Sequence, residues 1–512
     1  MRVAFRCDAS ERVGTGHVMR CLTLARAAMM QSHEVCFFVS DIDAVLEKRI
    51  NATGIRIIRL PSLKYGCQQS SVAIEAEYET SQQEAEARYF LRTVAGYQLD
   101  WIVVDHYGYG EPWISAIKHA GYCVLLIEDW PHRKVSADLL LDPRPGSIAG
   151  DYRGYIEPER VLSGSDFNLI REDFFHEPGQ PAGNVQRVLL NLGGYDYRGL
   201  SADILDALAN EDFAGKLSFT VLLSQSSPAF SRIQSHMQCA QYPFSVNLIE
   251  HCDDMAGLYR THHVCIGASG GSLWERIAMR LPTALVIVAD NQKPQASYAE
   301  ENGLVKVVAD YSGTARSFDV SAFRSLIESV EVRQSMQDHS SDLLRGSGSE
   351  RVIKAVENTK PEGLTLRSAI MSDMRDFYRW QKQPGARRFF RTPQLPRWSQ
   401  HRRWYQGIVS DFSVSLYIVL FNGEKAGYVR VDGAVTSSKS SSVGVSLDSL
   451  EVSILISRNF RGRKLAVNAL KALVSRYPET RFCADVAPGN FASRKVFKRA
   501  GFQKTGGRRY EY

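Results

Sequence analysis

The sequence predicts an α/β protein built from three domains, and two observations support this. Over the first 355 or so residues, short apolar runs alternate with amphipathic stretches of helix length. This alternation is typical of parallel sheets with right-handed crossovers. A chain of 512 residues is also too long for one hydrophobic core, and its length favours roughly three domains. The predicted buried strands are Val3–Phe5, Val35–Val39, Trp101–Val104, Val124–Ile127, Leu139–Leu141, Val188–Leu190, Phe219–Leu223, Val264–Ile266 and Ala284–Val288.

Two linkers divide the chain. The segment His176–Asn184 is rich in proline and glycine and has no periodicity, so we expect a hinge between two Rossmann-like domains, residues 1–175 and 185–355. Two such domains facing each other across a cleft form a GT-B-like architecture. Glu357–Gly363 is the second linker, and it precedes a further α/β domain at residues 364–512. Its predicted elements are strands Ser415–Phe421, Ala426–Val431, Leu450–Ile456 and Arg481–Asp485, an exposed serine-rich turn Thr436–Ser442, and helices near 462–477 and 491–500.

The composition excludes several classes of protein. Apolar residues make up 44% and charged residues 23% of the chain, values ordinary for soluble globular proteins. No apolar run approaches the ~18 residues of a membrane-spanning helix, and the N-terminus lacks the apolar core of a signal peptide. The nine cysteines are scattered singly without a CxxC pair, which argues against a disulfide framework or zinc site. We therefore expect a cytoplasmic protein without a metal.

The charge is distributed unevenly along the chain. From Leu364 to Tyr512 there are 27 Lys and Arg against 10 Asp and Glu, a net of +17, which leaves 35 against 46, a net of −11, for the rest. A basic module favours a polyanionic partner, and the three phosphates of coenzyme A would suffice. Charge alone leaves nucleic acid or a solvated basic face open, but we find no nucleic-acid recognition motif. We expect small-molecule partners, with neither nucleic acid nor membrane, and the oligomeric state is not predicted.

The first motif is Gly14-Thr15-Gly16-His17, which follows the first strand and opens a helix. Glycines at such a turn let the backbone approach a phosphate, which the helix N-terminus also favours. A histidine there can act as a general base beside a nucleotide sugar, although a helix-capping or packed histidine is the alternative. Tyr107, in Asp105-His106-Tyr107-Gly108, follows another strand and can donate a hydrogen bond to a phosphate or sugar; an ordinary turn with a surface tyrosine is equally compatible.

The second domain repeats this pattern at its own strand ends. Gly193-Gly194 and Gly267-Ala268-Ser269-Gly270-Gly271-Ser272 each follow a predicted strand, and their amides can hold phosphates. Glu275, about one turn into the following helix, can accept both ribose hydroxyls. Asn291 and Gln292 follow the next strand and present amide side chains. These loops, each at the end of a predicted strand, favour a nucleoside diphosphate site over a structural role.

These motifs resemble the family of UDP-2,4-diacetamido-2,4,6-trideoxy-β-L-altropyranose hydrolases of pseudaminic acid synthesis. The likeness covers residues 1–350 or so and includes FRCDAS…GTGHVMRCLTLA, VVDHYG, NLGGYD and the run GASGGSLWERIAMRLPTALVIVADNQKP. The resemblance implies metal-free cleavage of the anomeric carbon–oxygen bond with release of UDP. It implies His17 as the base that activates water, Tyr107 and Asn291 as assisting residues, and Glu275 at the ribose. The loop at Arg12–Thr15 also resembles transferase loops, so a glycosyltransferase remains an alternative.

Two motifs stand out in the C-terminal domain. The turn Arg461-Gly462-Arg463-Lys464-Leu465-Ala466 matches R/Q-x-x-G-x-G/A at its first and last positions, with Lys464 in the place of the middle glycine. We expect Lys464 to adopt helical dihedrals and to add a phosphate contact; an ordinary basic helix start is the alternative. Asn490-Phe491-Ala492-Ser493, Phe497 and Gly501-Phe502 match the ending of the GNAT fold. Residues expected at acetyl-CoA are Ile456, Arg461, Gly462, Arg463, Lys464, Leu465, Ala466, Asn490 and Ser493.

Acetyl transfer in GNAT enzymes commonly uses a base for the acceptor amine and an acid for the departing thiolate. Glu451 on the central strand is the predicted base that deprotonates an acceptor amine, with an exposed strand glutamate as the alternative. Phe497 stands where many GNAT enzymes carry a tyrosine acid.

Together the two halves match consecutive steps: acetylation of a 4-amino UDP-sugar, then removal of UDP. We therefore predict a bifunctional enzyme of pseudaminic acid biosynthesis, supplying sugars for glycans such as glycosylated flagellin. The alternatives are a GT-B glycosyltransferase fused to a GNAT of other specificity, and a nucleotide-sugar-binding regulator with a degenerate GNAT half.

Overall fold

The structure is a computed structural model, and it describes residues 1–9, 16–42, 44–61, 78–129, 133–175, 183–193, 196–211, 213, 217–313, 317–360, 363–409, 414–433 and 449–512. Most of the predicted hinge 176–184, the serine-rich turn and the glycines Gly14 and Gly194 lie outside the described residues. The chain forms two compact units. One contains Met1–Asp142, Ile148–Leu162 and Glu350–Tyr512, and the other contains Pro143–Ser147 and Ser163–Ser349.

The first sheet has seven strands in the order β3-β2-β1-β4-β5-β6-β7. The five pairs from β3 through β6 are parallel. The strand order reverses between β1 and β4, and ligands of open α/β sheets bind outside the carboxyl ends of the strands at such a switch point. Its elements are β1 (Arg2–Cys7), α1 (Gly16–Met30), β2 (Glu34–Val39), α2 (Ala44–Asn51), β3 (Arg56–Arg59), α3 (Thr80–Val94), β4 (Trp101–Asp105), α4 (Glu111–His119), β5 (Cys123–Ile127), β6 (Leu139–Asp142) and β7 (Val161–Ser163).

The second sheet repeats this topology with six parallel strands in the order β10-β9-β8-β11-β12-β13. It is buried on both faces: Val188 and Leu190 belong to one apolar core, whereas Leu189 between them belongs to the other. The switch point lies between β8 and β11. Its elements are β8 (Arg187–Asn191), α5 (Leu200–Ala209), β9 (Ser218–Leu222), α6 (Pro228–Gln238), β10 (Ser245–Ile249), α7 (Met255–Arg260), β11 (Val264–Ala268), α8 (Gly271–Ala278), β12 (Thr283–Ile287), α9 (Lys293–Glu301), β13 (Lys306–Asp310), α10 (Val320–Glu328) and α11 (Val330–Leu343), and α12 (Ser349–Asn358) follows them.

The third sheet is mixed, in the order β14-β15-β16-β17-β18-β20-β19. Only β17 and β18 pair in parallel among its described pairs, and their ladder joins Leu450 to Phe482 and Glu451 to Cys483. Since β17 continues to Ile456, most of this strand extends beyond the ladder with β18. The elements are β14 (Leu364–Ser368), α13 (Met374–Lys382), α14 (Trp398–Val409), β15 (Val414–Phe421), β16 (Glu424–Asp432), β17 (Leu450–Ile456), α15 (Leu465–Arg476), β18 (Phe482–Asp485), α16 (Phe491–Arg499), β19 (Gln503–Gly506) and β20 (Arg509–Glu511).

The third sheet packs against the first within one compact unit. Ala95, just after α3, packs against the apolar core of the third sheet. Arg476 at the end of α15 is fully buried, and it donates hydrogen bonds to the carbonyl oxygens of Ala120 and Gly121 at 3.2 and 3.1 Å. The backbone N–H of Leu366 in β14 also donates to the Gly121 carbonyl at 3.0 Å. The first and third sheets are therefore joined by a buried, hydrogen-bonded interface.

Candidate active sites

His17 lies at the start of α1, at the switch point of the first sheet. Its Nδ1 is 3.3 Å from the backbone oxygen of Asp105 and 3.4 Å from the Asp105 carboxylate, and about a tenth of its side chain is exposed (10%). Asp105 ends β4 directly opposite Cys7 of β1. Both neighbouring oxygens are acceptors, so Nδ1 carries a hydrogen and Nε2 of the neutral ring has the lone pair that a general base needs.

An arginine that the sequence motifs do not mark completes this arrangement. Arg20, one turn after His17, binds the Asp105 carboxylate through Nε and Nη2 at 2.5 and 2.6 Å. It also binds Asp129, which follows β5, at 2.6 Å. Burial alone would lower the pKa of Arg20, but the two carboxylates raise it well above its ordinary value. Burial alone would raise the pKa of Asp129, but Arg20 and Tyr107 hold it well below its usual range.

Tyr107 lies beside the imidazole, with ring centroids 4.7 Å apart in an edge-on arrangement. Its hydroxyl donates a hydrogen bond to Asp129 at 2.7 Å. Burial, followed by the charge of Asp129, raises the pKa of the Tyr107 phenol. The sequence predicts that Tyr107 donates a hydrogen bond to a phosphate or sugar, but in the structure its hydroxyl hydrogen is directed to Asp129. A ligand hydrogen bond in this arrangement would be accepted by the phenol oxygen.

A second buried cluster supports the adjacent strand end. Asp8 accepts hydrogen bonds from the backbone N–H groups of Ser40 and Asp41, pairs with Arg6 at 2.8 Å and lies 3.4 Å from His106. Gly108 donates its backbone N–H to Nδ1 of His106 at 3.0 Å. Burial lowers the pKa of His106, although Asp8 acts in the opposite direction. The cluster holds the loop after β4, which carries Tyr107.

The glycine-rich loop of the second sheet contains two kinds of glycine. A Cβ built on Gly267 would lie 2.6 Å from the guanidinium of Arg276, whereas one built on Gly270 or Gly271 meets no described atom within 4 Å. Arg276 is fully buried and donates hydrogen bonds to Ser272 Oγ at 3.0 Å and to the Ala268 carbonyl at 2.7 Å. Packing therefore explains Gly267, while Gly270 and Gly271 leave bare backbone at the start of α8, as does Gly16 at the start of α1.

The loops after β11 and β12 are hydrogen-bonded to each other. Ser269 is fully buried, and its hydroxyl donates to the Gln292 carbonyl at 3.3 Å. Gln295 donates its side-chain N–H to the Ser269 carbonyl at 2.6 Å, and the Val288 N–H donates to Oε1 of Gln292 at 3.1 Å. Ser269 and Gln292, both predicted ligand contacts, thus hold the two loops together. Asn291 is exposed in the turn Asp290–Gln292.

Glu275 and Gly193, both predicted to contact the UDP-sugar, each have a polar neighbour in the second unit. Glu275 on α8 lies 3.6 Å from the guanidinium of Arg171, which the sequence motifs do not identify. Arg171 in turn lies 4.6 Å from the centre of the Phe174 ring. The N–H of Gly193 donates to the side chain of Asn191, the last residue of β8, at 3.0 Å. Asn191 therefore shapes the turn that carries Gly193.

The turn before α15 differs from its prediction in one respect. Lys464 is the N-cap of α15 and has φ +60° and ψ 9°, in the left-handed region, so the expectation of helical dihedrals is wrong. Gly462, with φ +82°, is also in this region. Arg461 donates from Nε to the Ile456 carbonyl at 3.2 Å, which ties the turn to the end of β17. The turn keeps the backbone shape that a glycine favours while carrying a lysine at the N-cap, followed by Leu465 and Ala466 in the helix.

Three further residues singled out in the GNAT motifs have different surroundings: Asn490 caps a helix, Phe497 is buried in the core, and Glu451 pairs with an arginine. Asn490 caps α16, where its side chain accepts from the Ser493 N–H at 3.1 Å. Phe497 is buried against Phe502, with ring centroids 5.1 Å apart, and therefore belongs to the core. Glu451 accepts hydrogen bonds from one Arg391 nitrogen on both carboxylate oxygens, at 2.6 and 2.8 Å. Arg391 is a partner that the sequence analysis missed.

None of the helices among the described residues has both the length and the apolar character needed to cross a bilayer. The described residues contain no group of three or more His, Cys, Asp or Glu arranged to hold a metal ion. All eight cysteines in the described ranges are free.

Comparison of folds and sequence profiles defines the class of protein. The chain resembles the MurG of Acinetobacter baumannii (TM-score 0.51, 13% identity, 70% of this chain and 99% of that one). It resembles the glycotransferase of kitacinnamycin to the same degree (TM-score 0.51, 14% identity, 70% and 99%). The profile of the acetyltransferase (GNAT) domain matches residues 363–503. The chain therefore has a GT-B-type pair of Rossmann-like domains followed by a GNAT domain, which confirms the predicted fold class.

Sequence comparison gives more specific relatives. The chain is a homologue of the UDP-2,4-diacetamido-2,4,6-trideoxy-beta-L-altropyranose hydrolase of Campylobacter jejuni, with 24% identity over 307 residues, 59% of this chain and 97% of that protein. It is similar to the spore coat polysaccharide biosynthesis protein SpsG of Bacillus subtilis (21% over 373 residues, 70% and 98%). An uncharacterized protein of Methanocaldococcus jannaschii matches at 20% identity over 99% of this chain and 97% of its own length. The resemblance found from the motifs is confirmed.

Proposed function

We propose that the N-terminal part of the chain hydrolyses UDP-2,4-diacetamido-2,4,6-trideoxy-β-L-altropyranose to UDP and the free sugar. The observation that carries the proposal is the contact of His17 Nδ1 with Asp105 at the switch point of the first sheet. With a hydrogen on Nδ1, the neutral imidazole has its basic lone pair on Nε2. The similarity of the chain to a named UDP-sugar hydrolase supports the same proposal.

The reaction needs one base and one leaving group. A water molecule gives a proton to Nε2 of His17 while its oxygen bonds to the anomeric carbon. The bond from that carbon to the phosphate oxygen breaks, and UDP leaves with the electron pair. The proton on the imidazolium then passes to solvent, which restores the base. His17 supplies the proton acceptor near neutral pH, where imidazole is ordinarily uncharged.

The second sheet is the proposed binding site for uridine diphosphate. The bare backbone at Gly270 and Gly271 offers N–H groups and space at the start of α8, where a helix end favours anions. Gly193, Gly194 and Gly16 are proposed to approach phosphate in the same way. Glu275 is the proposed acceptor for the ribose hydroxyls, and Arg171 would hold its carboxylate in place. Asn291 is proposed to contact the sugar or phosphate.

The GNAT domain is the proposed source of the second acetamido group. We propose that it transfers acetyl from acetyl-CoA to the 4-amino group of the UDP-sugar precursor. The turn from Arg461 to Ala466, with its glycine-like shape at Lys464, is the proposed pyrophosphate site. Glu451 is the proposed base, with Asn490 and Ser493 at coenzyme A. We propose that acetylation precedes hydrolysis and that both steps belong to pseudaminic acid synthesis.

The hydrolase proposal is tested by incubating the full-length protein with authentic UDP-2,4-diacetamido sugar in H₂¹⁸O. The expected result is UDP release without any acceptor, with ¹⁸O in the sugar and none in UDP. His17→Gln should lose at least about 10²-fold in kcat, the share that a general base usually contributes. His119→Gln, an exposed histidine at the end of α4, is the control and should keep full activity.

The rival function has a different outcome in the same assay. The fold neighbours include a glycotransferase, and a transferase would release UDP only when a second acceptor is present. Failure of the authentic substrate to yield UDP in water would refute the hydrolase proposal.

The acetyltransferase proposal is tested with the 4-amino UDP-sugar and acetyl-CoA. Mass spectrometry should detect a gain of one acetyl group before any UDP appears. Glu451→Gln should slow acetylation, whereas hydrolysis of the preformed diacetamido substrate should be unchanged. Equal acetylation by the wild type and Glu451→Gln would exclude Glu451 as the base.

A further inference from the structure

The Asp105 carboxylate lies between His17 and Arg20. Its Oδ1 is 3.4 Å from Nδ1 of His17 and 2.6 Å from Nη2 of Arg20, while its Oδ2 is 2.5 Å from Nε of Arg20. The side chain is almost completely buried at the end of β4. Because Arg20 binds both oxygens in a bidentate pair, the carboxylate is fixed in orientation as well as in position.

The same guanidinium extends the network to Tyr107. Arg20 binds Asp129 at 2.6 Å, and Asp129 accepts the Tyr107 hydroxyl at 2.7 Å. Two carboxylates and one guanidinium give this group a net charge of −1 when His17 is neutral, and of zero when His17 is protonated. The group is therefore arranged to favour the imidazolium that forms when His17 removes a proton from water.

We propose that Asp105 is a positioning residue that orients His17 and stabilises its protonated form, and that Arg20 holds Asp105 in the required orientation. This inference rests on the proposed function, in which His17 is the general base. Neither Asp105 nor Arg20 is assigned a contact with substrate. The backbone oxygen and the carboxylate of Asp105 have different roles in this proposal.

The backbone oxygen, 3.3 Å from Nδ1, fixes which nitrogen carries the hydrogen. The carboxylate adds the negative charge. Replacement of Asp105 by asparagine keeps the backbone acceptor and the size of the side chain, so it removes mainly the charge. Other groups around His17 stay in place: Arg20 and Cys21 on α1, His106 and Tyr107 after β4 and Asp129 after β5, with the Asp8–Arg6 pair beyond His106.

Activity as a function of pH gives the first test. Activity that needs neutral His17 rises with pH on its acidic limb. Loss of a nearby negative charge favours the neutral ring, so Asp105→Asn should move the midpoint of this limb to lower pH, by on the order of one pH unit. The kcat for UDP release should fall at least about tenfold, with KM for the UDP-sugar changed less than about twofold, because weaker stabilisation of the imidazolium raises the barrier without touching substrate.

Two further variants distinguish positioning from general damage. Arg20→Lys keeps the charge but not the bidentate geometry, so kcat should fall while the midpoint stays within about 0.3 pH units of the wild type.

Asp138→Asn is the matched control. Asp138 is a fully buried carboxylate of the same sheet, paired with Lys118 at 3.0 Å, and it accepts the Val124 N–H near the amino-terminal end of β5, the opposite end from Asp105. It should leave the midpoint unchanged. A midpoint for Asp105→Asn equal to that for Asp138→Asn would overturn the inference.

A measurement without substrate separates this inference from the proposed function. Long-range ¹H–¹⁵N spectra of histidine-labelled full-length protein, with His17 identified by comparison with His17→Gln, report the ring hydrogen and its titration. We expect hydrogen on Nδ1 in both the wild type and Asp105→Asn, with a lower titration midpoint in the variant. If this shift occurs but the wild type releases no UDP, the hydrolase proposal fails while the positioning role stands. If the ring titrates identically in both proteins, the positioning role fails.

Discussion

The guanidinium of Arg476 lies 3.8 Å from the centre of the Tyr122 ring, which joins the GNAT domain to the first Rossmann-like sheet. Arg476 ends α15, the helix that begins at the proposed acetyl-CoA turn, and Tyr122 immediately precedes β5. The same guanidinium donates to three backbone carbonyls, those of Ala120, Gly121 and Leu366. A buried cation with these contacts makes the two domains parts of one packed structure.

Replacement of Arg476 by methionine should destabilise both of these domains together. The apolar chain fills similar space, but it removes the Arg476 donor from the buried carbonyl oxygens of Ala120 and Leu366. An unpaired buried acceptor costs about 1–3 kcal/mol. We expect the free energy of unfolding in urea to fall by at least about 2 kcal/mol. Arg499→Met, at an exposed position on α16, is the control and should change it by less than about 0.5 kcal/mol. Equal midpoints for the two variants would show that the contact does not stabilise the interface.

The strands of the first two sheets that could be predicted from sequence are the interior strands. All nine strands predicted in the first 355 residues are present, with shifts of one residue at β9 and β12. The four that were missed, β3, β7, β10 and β13, are the edge strands of their sheets. An edge strand has a neighbouring strand on one side only. Such strands are less buried, as β3 and β10 show, so they need fewer apolar residues and give no continuous apolar run. The pattern Arg56–Arg59, with arginine at both ends, is an example.

The charged partners of the candidate sites could not be predicted in this way. Arg20 and its two carboxylates are 85 and 109 residues apart in sequence, and no local pattern indicates which charges will meet. Arg476 looks like any basic residue at the end of an amphipathic helix, where a solvated position is the usual outcome. The glycine motifs were visible because backbone approach to a ligand needs a small residue at a fixed place in a turn. Motifs therefore identify the loops, and folding supplies their charged partners.

Lys464 allows the shape of the turn to be separated from its charge. A side chain in the left-handed region costs roughly 1–2 kcal/mol, which glycine avoids. Glycine also increases the entropy of the unfolded chain, which offsets about 0.4–1 kcal/mol of that gain. We therefore expect Lys464→Gly to be more stable than Lys464→Ala by up to about 1 kcal/mol in urea denaturation. Lys464→Ala retains the strained backbone and loses the charge.

Binding of acetyl-CoA to the same two variants tests the charge. If the ammonium group contacts phosphate, calorimetry should show weaker binding by both variants than by the wild type, to a similar extent and more clearly at low salt. Affinity that is unchanged in Lys464→Gly would mean that the lysine contributes no phosphate contact.

Gly271→Ala and Gly267→Ala should have opposite effects on stability. The added methyl group at Gly271 meets open space, and the residue already has a conformation open to alanine, so we expect a gain of about 0.4–1 kcal/mol in unfolding free energy. At Gly267 the methyl group would lie 2.6 Å from Arg276, so we expect a loss of about 1–3 kcal/mol. Urea denaturation of the full-length protein measures both.

Binding of UDP is the second measurement on the Gly271 variant. If phosphate approaches the bare backbone, Gly271→Ala should bind UDP at least about tenfold more weakly although it is more stable, a difference of about 1.4 kcal/mol. Gain of stability with unchanged UDP affinity would place the phosphate elsewhere.

His106 should make the stability of the protein depend on pH just below neutrality. Burial lowers the pKa of His106 in the folded protein, so below the ordinary value of about 6.5 the unfolded chain binds more protons. The contribution of His106 to the free energy of unfolding is therefore fully present above about pH 6.5. It decreases as the pH falls below this value, by at most about 1.4 kcal/mol per pH unit.

His106→Asn retains an acceptor for the Gly108 N–H but does not titrate. Between pH 6.5 and 5.5 its unfolding free energy should decrease less steeply than that of the wild type, whereas His119→Asn should follow the wild type. Parallel curves for all three proteins would mean that His106 accepts a proton as readily in the folded protein as in the unfolded chain, and that Asp8 fully compensates for its burial.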